Sequence, residues 1–446
     1  MNLKCVVTRF LNNKKNEFVQ YMKFIKDNGV EHKVINIYPN MRYQTFEGFG
    51  GALTESSGYV YSKMDKKQKH QLISTYFDED NMNYRLARIH LDSCDFSLGH
   101  YEAMSDKEDI NMYSFSLKRS EKYIFPLVDD VQKYMGRPIE IMVSPWSPPA
   151  FMKTNGERNH GGSLKEEYKE FWARYLCKYI VEFRNRGYNV KRMSIQNEPR
   201  AVQIWDSCIY SAKEEKEFLR DYLYPEMIKN NLTDVEIFIW DHNKERIFER
   251  ACEIIDEDTN HMITGIAFHW YSGDHFEALN LVNEKFPDKK LILSEACIEY
   301  SHYSKEDRLF NAQRYAHDII GNLNNGMSAF YDWNILLDEN GGPNHVGNCC
   351  DAPFLYDIQE GKLIERKTLS YIKHFSHYIK PGAVRIGYSK YTDALDVTAF
   401  ENPDKSIVLI ILNRFSDDFQ TSIRLYEEYT NLFIPSESII TCVINR

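Results

Sequence analysis

The chain has 446 residues, 43% of them hydrophobic, which suits a large core and more than one structural unit. Its net charge of −10 is spread over interspersed acidic and basic side chains, which excludes nucleic acid or an anionic membrane as the main partner. The excess is aromatic, with 30 Tyr, 26 Phe and 6 Trp; most of these belong to a core, and the remainder are suited to stack on the C–H faces of sugar rings. The apolar stretch at the N-terminus is only about four to six residues, too short for a signal peptide. No run approaches the roughly 18 apolar residues of a transmembrane helix, so no membrane anchor is expected. Nine scattered cysteines lack CxxC or zinc spacing, and the adjacent Cys349 and Cys350 bridge poorly. This predicts reduced thiols that serve as packing residues in a cytoplasmic protein.

In chain order, VINIYP at 34–39 predicts a strand belonging to a peripheral sheet. Eight apolar strands then follow: FEGFGGAL at 46–53, RLARIHL at 85–91, IEIMVSP at 139–145, VKRMSIQ at 190–196, VEIFIWD at 235–241, TGIAFHW at 264–270, KLILSE at 290–295 and MSAFYDW at 327–333. Near-continuous apolar strands separated by helical stretches indicate a parallel sheet covered on both sides, and eight of them indicate a closed barrel. Among the helices, 163–187 carries Tyr168, Phe171, Trp172, Tyr175, Leu176, Tyr179, Ile180 and Phe183 on one face and meets Gly187 at its end. The helix at 211–231 opens with Ser211 and Glu214, a capping box, and that at 308–326 ends in Asn-Asn-Gly. After about 380 the texture becomes that of short antiparallel strands, with VTAF and SIVLIIL joined by Asn-Pro-Asp-Lys and followed by TSIRLY and SIITCVI. The predicted fold is α/β: a (β/α)₈ TIM barrel over 45–380, flanked by a β-sandwich built from both chain ends, 1–44 and 381–446.

A parallel barrel delivers the last side chains of its strands to one face. Here those ends carry Asp92 and Asp95, Trp146, then Gln196, Asn197 and Glu198, then Trp240, Asp241 and His242, then His269, Trp270 and Tyr271, then Glu295, and finally Asp332, Trp333 and Asn334. Singly, each is bland: a strand-end glutamate is more often a cap or salt-bridge partner, and His-Trp-Tyr is more often packed core. Together they describe a rim of directed donors, acceptors and indoles, with Glu198 and Glu295 as two carboxylates able to flank a glycosidic bond.

The same residues carry a family resemblance. EGFGGALTES, SCDFS, SPWSPPAFMKTNG, IQNEP, GIAFHWY, LSEAC and YDWNILLDENGGPNHVGN resemble, in order, the motifs of glycoside hydrolase family 30, which includes glucosylceramidases, β-glucosidases and β-xylosidases. The likeness spans about residues 43 to 415. It implies that Glu198 is the general acid/base and Glu295 the nucleophile. It also implies that Asp95 and Trp146 hold sugar hydroxyls and that Asn197 contacts the 2-hydroxyl. His269 and Tyr271 are implied to surround the nucleophile, Trp333 to wall the sugar subsite, and Asn348 to line it. Two departures stand out: His345 replaces an aromatic of the glucosylceramidase-like members, and the loop RAVQIWDSC after Glu198 is shorter, which points away from ceramide as leaving group.

The expected activity is therefore a retaining, exo-acting β-glycosidase on β-glucosides, using no metal and no cofactor, with the carboxyl groups about 5–5.5 Å apart. His269 and Tyr271 are expected to donate to Glu295. β-Xylosidase or endo-β-1,6-glucanase activity is the alternative within the family. A non-catalytic carbohydrate-binding barrel is disfavoured because both glutamates are present. A phosphate-handling barrel is disfavoured because the only glycine-rich candidate is GGP at 341–343, on a carboxylate-rich rim.

Overall fold

The computed structural model describes residues 1–445, so the last residue of the predicted C-terminal segment, Arg446, lies outside the described residues. The eight barrel strands are β1 (Gly48–Ala52), β2 (Leu86–Leu91), β3 (Glu140–Pro145), β4 (Asn189–Ser194), β5 (Glu236–Asn243), β6 (Gly265–His269), β7 (Lys290–Glu295) and β8 (Met327–Asp332). They close in sequence order, each parallel to its neighbours.

Both faces of these strands are buried, which is why they read as unbroken apolar runs. Their outward side chains join the large core beneath the surrounding helices. Their inward ones form a plug of Leu86, Met142, Phe238, Ala267, Ile292, Ala329 and Tyr331. Gly50 on β1 lies so close to the Leu86 carbonyl of β2 that a Cβ would collide with it. At the N-terminal end of the plug the buried Arg192 meets Glu236 at 2.9 Å and Glu140 at 3.4 Å, together with Glu47. At the C-terminal end a second buried arginine, Arg88, takes the corresponding place beneath the rim.

The predicted helices form, with local differences. A 3₁₀ turn at Glu166–Tyr168 precedes the α-helix Lys169–Asn185, whose buried face includes Trp172, Tyr175, Tyr179 and Phe183. The Ser211–Glu214 capping box is present in both directions. The helix it starts widens into a π-helical segment at Phe218–Leu223 before resuming at Tyr224–Lys229. Pro225 explains the widening, because it has no N–H to offer the preceding turn.

The peripheral sheet has ten strands and closes around its own core of Leu3, Val7, Ile35, Ile37, Ile411, Ile423, Leu432 and neighbours. Asn2–Leu11, Lys14–Lys23, Ile25–Lys26 and Val34–Thr45 come from the N-terminal end of the chain; Val384–Ser389, Leu395–Glu401, Ile407–Asn413, Phe419–Leu425, Glu428–Ile434 and Ser438–Asn445 come from the C-terminal end. The N-terminal hairpin escapes the sequence reading because Lys14–Lys23 is mostly exposed and polar. The other face of the sheet sends Phe400, Val408, Ile410, Leu412 and Ile439 into the barrel's own core cluster, so the two units share a continuous apolar contact.

Asn2–Leu11 and Ser438–Asn445 pair antiparallel with Cys5 directly opposite Cys442, and these two are joined as a disulfide. That corrects the expectation of nine reduced thiols: register places two residues far apart in sequence face to face, which spacing along the chain does not reveal. The other seven cysteines are free. Among the described residues, no helix is long and apolar enough to cross a membrane.

Candidate active site

A pocket opens at the C-terminal face of the barrel, and its lining includes Asp95, Trp146, Asn197, Glu198, Tyr271, Glu295, Trp333 and Asn348. Eight of the nine predicted site residues thus meet in one place, brought from the ends or following loops of β2, β3, β4, β6, β7 and β8. The ninth, His269, is wholly buried behind them.

Glu295 is the last residue of β7 and pairs in register with His269 at the end of β6. Glu198 lies beyond the end of β4, where the backbone is strung between neighbours: Asn197 N–H donates to the Pro145 carbonyl at 2.9 Å and Glu198 N–H to that of Asp241 at 3.0 Å. Glu198 has φ +47°, and Trp240, Asp241 and Asn334 are also left-handed. Non-glycine residues held in this region signal backbone constrained by its surroundings, as at functional sites elsewhere. These kinks also break the simple alternation of a strand.

The kinks and the alternation sort the rim. Asp92 turns away and accepts from Tyr175 and Tyr179 hydroxyls at 2.9 and 2.6 Å. Gln196 donates to the Trp146 carbonyl at 2.7 Å, Trp270 to that of Cys297 at 3.1 Å, and Asp332 accepts from Tyr315 at 2.7 Å. These strand-end residues are framework. Trp146 and Trp333 stack on each other, centroids 5.3 Å apart, and form one wall. Asp95 accepts from Asn344 at 3.3 Å and Asn348 at 3.4 Å, which joins the loops after β2 and β8.

Beneath the pocket lies a residue the sequence reading did not single out. Arg88 projects inward from the middle of β2, and its five N–H donors meet five acceptors. Nε donates to Ser144 Oγ at 3.2 Å. Nη1 donates to the Ser294 carbonyl at 3.1 Å and Glu295 Oε2 at 2.7 Å. Nη2 donates to Asn197 Oδ1 at 2.9 Å and Asp241 Oδ2 at 2.8 Å. The signal available in RLARIHL was a charged side chain at an inward position, two residues from Leu86 of the plug. His242, placed on the rim by its strand end, also lines the pocket, and so do Gln203, Trp205, Asn243, Cys297, Glu299 and Cys350, which the sequence did not single out.

Tyr271 donates its hydroxyl to Glu295 Oε1 at 2.9 Å, as expected. His269 behaves differently. Its Nδ1 lies 3.2 Å from Glu198 Oε1 and its Nε2 3.1 Å from Asp241 Oδ1, with Glu295 Oε2 farther off at 3.8 Å. The register between β6 and β7 shifts so that Phe268 faces Leu293 and His269 faces Glu295, with Ser294 as the extra residue on β7, and the ring lies between the two glutamates.

Burial opposes the charge on Asp241, yet Arg88, His269 and Ser194 hold its carboxyl well below the usual range. Burial pushes Glu295 up, against His269 and Arg88, and the nearby Glu198 adds to the rise. Glu198 is held below its ordinary value: burial works against this, and the His269 contact and the charge of His242 outweigh it. His269 is pushed up to about 9, because Glu295, Asp241 and Glu198 outweigh its burial. Asp95 goes well up through burial and the repulsion of Glu295 and Glu198. With Nε2–H directed at Asp241, one proton is shared between His269 Nδ1 and Glu198. It makes either an imidazolium beside a carboxylate or an imidazole beside a carboxylic acid.

A closed parallel barrel with one buried glutamate at the end of β7 and one part-buried glutamate beyond the end of β4, facing an indole-walled polar pocket, has the equipment of a glycoside hydrolase. Comparison with known proteins agrees. Residues 46–379 match the glycosyl hydrolase family 30 TIM-barrel domain, and residues 382–442 match the glycosyl hydrolase family 30 beta sandwich domain. The mouse lysosomal acid glucosylceramidase is 30% identical over 87% of this chain and 79% of its own length. An endo-1,6-β-D-glucanase of Neurospora crassa is 24% identical over 91% of this chain and 86% of its own. Among solved structures, SrfJ from Salmonella typhimurium superposes over 100% of both chains with a TM-score of 0.95 at 36% identity. The chain belongs to glycosyl hydrolase family 30 and is an enzyme of glycoside hydrolysis.

Proposed function

We propose that this glycoside hydrolase is a retaining, exo-acting β-glycosidase on β-glucosides, with Glu295 as nucleophile and Glu198 as acid/base. The observation that carries the reading is the different company of the two glutamates. Glu295 faces two fixed donors, Arg88 and Tyr271, which counter the rise that burial and the charge of Glu198 impose on its carboxyl and are aligned to hold it ionised once a sugar separates the two glutamates. Glu198 faces an imidazole with which it exchanges one proton. A carboxylate attacks the anomeric carbon; a proton-sharing carboxyl serves the leaving oxygen.

In the first step Glu295 bonds to the anomeric carbon, the bond to the aglycone oxygen breaks, and Glu198 gives that oxygen its proton. Forming the ester removes the charge of Glu295. Glu198 then takes a proton from water, whose oxygen displaces Glu295 and restores the configuration. Asn197, oriented by Arg88, is placed to hold the 2-hydroxyl, an interaction that strengthens as positive charge develops on the ring. Asp95 and Asn348, tied to each other across two loops, suit the remaining hydroxyls of a terminal sugar. Asp95's tendency to stay protonated makes it a hydrogen-bond donor as well as an acceptor. Likeness to a glucosylceramidase supports the β-glucoside preference. An endo-β-1,6-glucanase is the second reading, favoured by the likeness to the Neurospora crassa enzyme. We further propose a cytoplasmic location, supported by the seven free cysteines, with the Cys5–Cys442 disulfide as the observation against it.

The test is a 2-fluoro-β-glucosyl fluoride followed by peptide mass mapping. The label is expected on Glu295, and Glu295→Gln is expected to abolish turnover. In Glu198→Ala, azide is expected to restore activity on activated aryl glucosides with formation of β-glucosyl azide. A label on another residue would refute the nucleophile assignment. Relative rates on aryl β-glucoside, β-xyloside, β-fucoside and β-galactoside, and on β-1,6-glucan, decide between the two readings.

A further inference from the structure

Outside the sugar pocket, three loops of the same barrel face bring together His100, Asp206 and His345. They follow β2, β4 and β8 respectively. One ligand atom from each lies within 4.8 Å of the other two. We propose that these three side chains form a site for a divalent transition-metal ion of the zinc type.

The arrangement of His345 supports this most directly. Its Nδ1 lies 3.1 Å from the Asp95 carbonyl and 3.2 Å from that of Ser97. Both partners can only accept, so Nδ1 carries the proton and Nε2 carries the lone pair. That Nε2 is buried and has no hydrogen-bond partner. A ring fixed by its far N–H on backbone carbonyl, with its near nitrogen bare, is the usual condition of a metal-ligating histidine.

Asp206 is prepared in the same way. Arg158 Nε at 2.6 Å and Ser93 Oγ at 3.1 Å both hold Oδ1. Oδ2 is left facing His100 Nδ1 at 3.2 Å. Two ligands at the 2.0–2.1 Å of a tetrahedral zinc ion stand about 3.3 Å apart, so this pair is already at ligand spacing. The rings of His100 and His345 meet with centroids 4.6 Å apart. His100 has 42% of its side chain exposed, so it can swing onto the ion and leave a fourth position to water. Two imidazoles and one carboxylate suit zinc, cobalt or nickel and not calcium or magnesium.

The ion would not touch the sugar. It would clip the loop bearing Trp205, through Asp206, to the loops bearing Asp95 and Asn348. Both walls of the pocket would be stiffened from behind.

Glu198, His242 and His269 also bring ligand atoms together, so the experiment must separate the two clusters. Chelator-stripped protein is titrated with Co²⁺, read by its visible absorption, and then with Zn²⁺ in competition. One saturable equivalent with the intense bands of tetrahedral cobalt is expected. His100→Ala and His345→Ala should each weaken binding at least tenfold, whereas Glu198→Gln should bind as the unaltered protein does. His100 is exposed, so its variant keeps the fold; unchanged circular dichroism and melting would show this. Absence of saturable binding, retention of binding in both histidine variants, or its loss in Glu198→Gln would each overturn the proposal.

Discussion

Arg88 controls more of the site than any single pocket residue, because one side chain orients Asn197, anchors Asp241 and favours the charge on Glu295. Lysine has fewer donors and cannot reproduce the fork, so Arg88→Lys is expected to lower kcat/KM on the order of a hundredfold. The sign of the pH effect follows from the contact. Arg88 favours ionised Glu295, so its loss raises the Glu295 pKa and moves the acidic limb of the kcat/KM profile to higher pH. An unmoved limb would show that Arg88 only supports the barrel. On the alkaline side, the proton shared by His269 and Glu198 is lost as pH rises through His269's value of about 9. The kcat/KM of the unaltered enzyme is expected to fall there, and an activity–pH series with a neutral aryl glucoside measures it. These charges were visible as letters. That one arginine would satisfy all its donors among them was not, because its partners come from four other strands or their ends.

At the scale of elements, the loop after β4 decides what lies beyond the first sugar. Trp205 lines the pocket from this loop. The loop is held at its base by Lys153, whose buried ammonium donates to the Arg158 carbonyl at 3.0 Å and also to that of Ser207. Trp205→Ala is expected to raise KM about three- to tenfold for disaccharides and large aglycones, the loss of one aromatic contact, with kcat nearly unchanged. Small aryl glucosides should be less affected; equal losses on all substrates would place Trp205 elsewhere than the leaving-group side. The barrel strands and the Ser211 cap were legible because they depend on local pattern and on burial that is uniform along each strand. The π segment before Pro225 and the register shift between β6 and β7 beside His269 were not. Each arises from hydrogen-bond register, which composition does not encode.

For the whole molecule, the seam between barrel and sandwich contains a second kind of switch. His374, on the helix Lys367–Ser376, bridges Thr441 and Thr8, both at 2.8 Å, and so touches strands from both ends of the chain. Burial pushes its value down to about 3. The folded state therefore favours neutral His374. Its contribution to stability is complete above the ordinary histidine value of about 6.5 and is lost as pH falls toward 3. Acid unfolding is expected over this window, and His374→Gln should move the midpoint of a pH titration followed by tryptophan fluorescence to lower pH. An unshifted midpoint would assign acid unfolding to other groups.

The sequence alone was sufficient for the barrel, four of the six C-terminal strands of the sheet (Val384–Ser389 and Glu428–Ile434 were not read), the glycosidase class and eight of the nine pocket-lining choices. Each rests on periodicity, strand-end placement or an ordered set of motifs, which are properties of the chain read along its length. Only the tertiary structure paired Cys5 with Cys442, placed His269 on Glu198, seated Arg88 under the nucleophile candidate and gathered His100, Asp206 and His345. Those are contacts between residues remote in sequence. Strand register and loop closure decide them, and both become defined only when the barrel shuts and the two ends of the chain meet in one sheet.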